Sequence, residues 1–178
     1  MDAATLAGHI RKLKPRCGSH IVVAIDGAAG GGKTTLGRGL AGELDATLVQ
    51  MESIYPGWDG LDEAAVRLVR DVLEPFARGE DGSVRPWDWE QSCEGEPVAV
   101  TPTSIVIVEG VGAGIAAASP FLSLLVWLEA NAAVRRRRAI ARDGDMFAPH
   151  WERWAAQEDV MFAREQTRER AELIIQTD

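Results

Sequence analysis

Residues 21–25 read Ile-Val-Val-Ala-Ile, an unbroken apolar run too short for a helix and rich in β-branched side chains. Such a run predicts a strand buried on both faces. The same pattern recurs at 104–108 and 122–128, and more weakly at 47–51 and 173–175. Between these runs the apolar positions follow helical spacing. Ala3, Leu6, Ala7, Ile10 and Leu13 mark a helix over 3–13, and 33–44 reads as another. Over 63–77, Ala65, Val66, Val69, Val72, Leu73 and Phe76 share a side, with Pro75 expected to kink the last turn and Gly79 to stop it. Helices are also expected over 132–142, which is basic, and over 151–170, which is amphipathic; Asp143-Gly144-Asp145 breaks the chain between them. Residues 84–101, punctuated by Pro86 and Pro97, read as irregular or hairpin-like. Strands alternating with helices predict an α/β fold with a mainly parallel five-stranded sheet. With its last strand near residue 175, that sheet needs the whole of 1–178 as one domain.

Residues 105–128 are long enough to span a bilayer, but Glu109, several glycines and Pro120 interrupt them. A strand, a short helix and a second strand explain the segment better, so no membrane association is expected. The formal charge of −8 argues against general nucleic-acid binding. Residues 1–20 carry no continuous apolar run, and Cys17 and Cys93 lack metal-site spacing; both point to a cytoplasmic protein with reduced thiols.

The first strand runs into Asp26 and then into Gly27-Ala28-Ala29-Gly30-Gly31-Gly32-Lys33-Thr34, which fits G-x-x-x-x-G-K-[ST]. Glycines let successive backbone N–H groups turn toward an anion, and the following helix adds its positive N-terminal end. Lys33 is placed to reach the outer phosphates of ATP, Thr34 to hold Mg²⁺ and Thr35 to touch an inner phosphate. The strand before and the helix behind distinguish this loop from a plain glycine turn.

Four further stretches join it. Glu109 ends the strand at 105–108 and is a second candidate for Mg²⁺, or else a carboxylate at the start of the next helix. Glu52, in Gln50-Met51-Glu52-Ser53-Ile54-Tyr55, lies past the second strand, where it could take a proton from an acceptor hydroxyl; the alternative is a surface acid. Arg135, Arg138 and Arg142 fall on one helical face, able to close over a triphosphate, or else to remain a solvated basic face or pair with Asp143 and nearby glutamates. Trp87-Asp88-Trp89 offers aromatic faces to a substrate or pins its loop to the core, whereas Trp151 and Trp154 read as core.

Taken in order, these stretches resemble the uridine kinase-like branch of phosphate-loop kinases, which includes pantothenate kinases and phosphoribulokinases. "QMESIY" is similar to that family's S-Q-D-S-F-Y, with Glu52 in place of the aspartate. "GWDGLD" is similar to its H-P-D-A-F-D, which nominates Asp59 as a substrate-hydroxyl acceptor. Trp87-Asp88-Trp89 looks like its Y-D-F, but Ser92 stands about where the family's pyrimidine-contacting histidine would be. "NAAVRRRRAIARD" aligns Arg135, Arg138 and Arg142 with lid arginines.

The resemblance implies a P-loop NTP hydrolase-type three-layer sandwich with a short helical lid at roughly 135–150. It implies transfer of the γ-phosphate of ATP, with Mg²⁺, to a hydroxyl of a small molecule. Lys33, Glu52 and the three arginines would be catalytic, Gly27 to Thr35 would hold ATP, and Tyr55, Asp59, Trp87 and Asp88 would line the acceptor pocket. A nucleotide-dependent switch acting through a protein partner uses the same loop and is the alternative. The acceptor's identity is left open, as is a homo-oligomeric state.

Overall fold

Strand β1 (Ile21–Asp26) lies at the middle of a five-stranded sheet, with β2 (Thr47–Gln50), β3 (Ile105–Glu109), β4 (Leu124–Glu129) and β5 (Leu173–Gln176) ordered β2-β3-β1-β4-β5 and every pair parallel. The structure is a computed structural model describing residues 3–178. Alternation along β1 explains its continuous apolar run. Val22 and Ala24 enter one core with Val106 and Val108, while Val23 and Ile25 enter the opposite core with Ile105 and Ile107. Helices α1 (Ala3–Ile10) and α2 (Lys33–Leu44) cover the second face; the first is covered by a helix over 61–77, α3, and by α5 (Trp151–Glu165), which follows α4 (Ala132–Asp143). The result is a three-layer α/β sandwich. No helix among the described residues is long and apolar enough to cross a membrane.

Helix α3 is distorted one turn earlier than the sequence suggests. Leu68–Leu73 forms a wide π turn, with Glu74 N–H donating to Val69 O. Pro75 has no N–H to donate and its ring crowds the carbonyl four residues back, so the backbone widens ahead of it. Gly79, at φ 76°, then ends the helix, and Glu80 N–H closes on Pro75 O at 3.0 Å.

The helix expected over 151–170 is also divided. Gln166 adopts φ 48°, and Thr167–Arg170 forms a separate turn. There the Glu165 carboxylate accepts Ala116 N–H, and Arg170 donates to Gly114 O and Ser119 Oγ. These ties turn the chain so that Leu173 enters the sheet beside β4. Of the two readings of 84–101, irregular or hairpin-like, the structure has the second, starting two residues earlier: two antiparallel ladders, Gly82–Val84 on Val98–Val100 and Trp87–Asp88 on Cys93–Glu94.

Candidate active site

The parallel register brings Asp26, Gln50 and Glu109 to the carboxyl edge of neighbouring strands. In such sheets this edge carries the ligand crevice. The glycine loop is wedged into it. Gly27 has φ 135°, and a Cβ there would lie 2.3 Å from Leu128 O; at Gly30, φ 76°, it would lie 2.1 Å from Arg135 O. Only glycine fits both the dihedral and the approach. Lys33, 7% exposed, opens α2, and its Nζ donates to Ala28 O at 2.9 Å.

Two oxygens of Glu109 serve two partners. Oε2 accepts from Thr34 Oγ1 at 3.3 Å, and Oε1 accepts from Gln50 Nε2 at 2.8 Å. A hydroxyl beside a carboxylate is a hard-oxygen pair of the kind Mg²⁺ takes when phosphates and water complete its shell. The described residues hold no cluster of three or more His, Cys, Asp or Glu that would suit a metal cage.

Beside the loop lies a cavity of about 380 Å³. Ala29, Gly30, Lys33, Thr34, Glu52 and Glu109 line it, and Trp58, Trp89, Phe147 and Trp154 give it an aromatic wall; Tyr55, Arg142 and Asp143 also face it. Trp58 organises the aromatic wall. It stacks on His150 (4.3 Å, 13°) and on Phe147 (5.5 Å, 9°), with Trp89 tilted against it at 4.7 Å. The Tyr55 ring meets Trp154 edge-on at 4.9 Å, while its hydroxyl donates to Val111 O at 2.9 Å.

Burial dominates the electrostatics here. It pushes Asp26 up to about 6, against three backbone N–H donors (Gly114, Gly27 and Gly112) and the Lys33 charge. It pushes Glu158 up to about 7, against Lys33, the Ala29 N–H, Arg135 and the Trp154 indole. It lowers Lys33, opposed by Glu158, Asp26 and Glu109 in that order.

Other nominated residues lie elsewhere. Arg135 donates to Ala29 O and Ala130 O, outside the cavity lining but on the glycine loop. Arg138 donates to Thr177 at the far C-terminus, and only Arg142 of the three faces the cavity, its guanidinium held by Asp143. One helical face at the Cα level thus sends three guanidinium groups in three directions. Asp59 is exposed and paired with Arg153. Trp87 packs against Gly57, and Asp88 Oδ1 accepts the N–H groups of Glu90 and Gln91, closing the hairpin turn. Thr35 is exposed on α2. None of these four is among the residues lining the cavity.

Sequence reading missed Asp26, Glu158, Trp58, Phe147 and the cavity face of Trp154. Glu158 left one legible signal. It sits on the apolar stripe Trp151, Trp154, Met161 of α5, where a carboxylate has no business unless paired.

No family model matches the chain. It is 29% identical over 125 residues to a cytidylate kinase of Pyrobaculum arsenaticum, a match covering 70% of this chain; the chain spans about 61% of the length of that curated relative. Among solved structures it is similar to a possible uridine kinase from Bacillus stearothermophilus, with a TM-score of 0.64 and 19% identity over 97% of this chain and 96% of that one. It is equally similar to a presumed fructose transport system kinase from Silicibacter sp. TM1040, with a TM-score of 0.64 and 21% identity over 98% and 99%. The fold is that of the phosphate-loop kinases, and the resemblance to the uridine kinase-like branch holds at the level of fold.

Proposed function

We propose that this chain is an ATP- and Mg²⁺-dependent phosphotransferase that moves the γ-phosphate of ATP to a hydroxyl of a small molecule. One observation carries this reading: a single cavity is lined by the glycine loop, by Glu52 and Glu109, and by aromatic side chains that include Trp58 and Trp89. A switch acting on a protein partner needs the loop but not the aromatic wall.

In this account Gly27 to Gly32 and the N-terminus of α2 hold the phosphates, and Lys33 neutralises the outer ones. Thr34 and Glu109 would hold Mg²⁺, which when bound offsets phosphate charge. Glu52 accepts the acceptor's hydroxyl proton as the new O–P bond forms and the bond from Pγ to the ADP oxygen breaks. Arg142 balances charge on the transferring group. The aromatic lining, in which Trp58 is already stacked on His150 and Phe147, gives an apolar wall that suits an acceptor carrying a ring or an apolar plate. We assign the enzyme to the cytoplasm, in keeping with the free thiols of Cys17 and Cys93.

The test is ADP release from MgATP in the presence of nucleosides, sugars, vitamins or pantothenate. Stimulation by one chemical class is expected. Turnover indifferent to all of them but altered by a protein partner would replace this reading with the switch.

A further inference from the structure

The buried charged side chains among the described residues are Asp26, Lys33, Glu109 and Glu158. The first three belong to β1, the glycine loop and β3. Glu158 arrives on α5, 129 residues beyond the loop residue it touches. A buried carboxylate beside an anion-binding loop is unfavourable twice, through desolvation and through repulsion of phosphate. Its contacts indicate what offsets that cost.

One oxygen makes two of them. Oε1 accepts Ala29 N–H at 2.7 Å and the Trp154 indole N–H at 2.9 Å. Oε2 faces Arg135 Nη1 at 3.9 Å, and that same nitrogen donates to Ala29 O at 3.2 Å. The Ala29 residue is thus gripped at its N–H by Glu158 and at its carbonyl by Arg135. Trp154 is at the same time part of the aromatic wall of the cavity. The rest of α5 is tied to that wall too. Gln157 Nε2 donates to Trp58 O at 2.8 Å, and Arg153 pairs with Asp59 in the next position. Glu158 Oε1 is thus an atom shared by the aromatic wall and the phosphate loop.

We infer that Glu158 is a positioning residue that couples the acceptor wall at Trp154 to the phosphate loop at Ala29. This rests on reading the cavity as a kinase site. Coupling of this kind is reciprocal, so a change confined to the wall alters how the loop holds nucleotide.

A double-mutant cycle read by calorimetric MgATP binding at pH 8 tests it. Trp154→Phe removes the indole N–H but keeps a ring, and should weaken MgATP about threefold; Glu158→Ala should weaken it about tenfold, and the double variant no more than Glu158→Ala alone. Glu158→Gln keeps an oxygen for both donors but removes the charge facing Arg135 and Lys33. It should bind MgATP more tightly than the unaltered chain, a gain that general loosening cannot produce, and it keeps the test open if Glu158→Ala does not fold. MgATP affinity unchanged in Trp154→Phe, effects that add, or weakened binding in Glu158→Gln would each overturn the inference. Failure of the unaltered chain to bind MgATP would instead remove the kinase reading, and the inference with it.

Discussion

Thr34 Oγ1 donates to Glu109 Oε2 across 75 residues of sequence, at 3.3 Å. That contact joins the first residue after the loop lysine to the acid that ends the neighbouring strand. If the pair holds Mg²⁺, Glu109→Gln should raise the Mg²⁺ concentration for half-maximal turnover by about tenfold or more, since a neutral amide oxygen is a weaker ligand for a hard cation. A Mg²⁺ titration of ADP release at fixed ATP reads this directly.

Gly37 provides an independent approach to the same acid. It sits within α2, and a Cβ there would lie 2.9 Å from Glu109 Cγ and 3.2 Å from Glu109 Cβ. Alanine gains about 1 kcal/mol of helix propensity over glycine. Here the clash falls on the root of the Glu109 side chain, which cannot swing aside without losing Thr34 or Gln50. Gly37→Ala should therefore leave Tm within a few degrees while raising the Mg²⁺ requirement as Glu109→Gln does.

The loop and Glu109 were legible because each is local: a contiguous backbone motif and a strand-end acid. Glu52 was legible for the same reason, and the structure places it in the cavity lining. Glu158 was not, because its meaning lies in Ala29 and Trp154, brought to it by the packing of α5. Asp26 was visible as an acid after an apolar run, but its donors Gly112 and Gly114 lie beyond the next strand but one. The arginine run misled in another way. Helical periodicity places Cα atoms on a face but does not say which carbonyl a long side chain will find, and Arg138 finds that of Thr177. The long helix drawn through Gln166 failed because tertiary ties at Glu165 and Arg170, rather than local propensity, end it.

Glu52→Gln should lower transfer to the acceptor by about a hundredfold or more while leaving MgATP affinity within about twofold, the pattern of a lost general base. Parallel measurement of acceptor-dependent kcat and nucleotide Kd separates the two effects. Intact transfer would strip Glu52 of that role.

Stability should depend on pH in an unusual direction. Burial holds Glu158 up to about 7 and Asp26 up to about 6 in the folded chain, against 4.5 and 3.8 for unperturbed groups. Between roughly pH 4 and 7 the folded state therefore binds more protons than the unfolded one, so stability from these groups is full at low pH and falls as pH rises through that window. At pH 8 each carries a penalty on the order of 3 kcal/mol. Tm should rise on going from pH 8 to pH 6, and Glu158→Gln should raise Tm at pH 8 and flatten the slope. A Tm that drops steadily over the same interval would show that the two carboxylates are ionised at little cost.

The most direct measurement follows the phosphate itself. Incubation of the chain with MgATP and a pool of small hydroxyl compounds, followed by mass spectrometry, should show one compound converted to its phosphomonoester in step with ADP formation. Lys33→Ala, which removes the loop's cation from beside Glu158, Asp26 and Glu109, should abolish that product. ADP accumulating with no phosphorylated compound, or the same product formed by Lys33→Ala, would contradict the account.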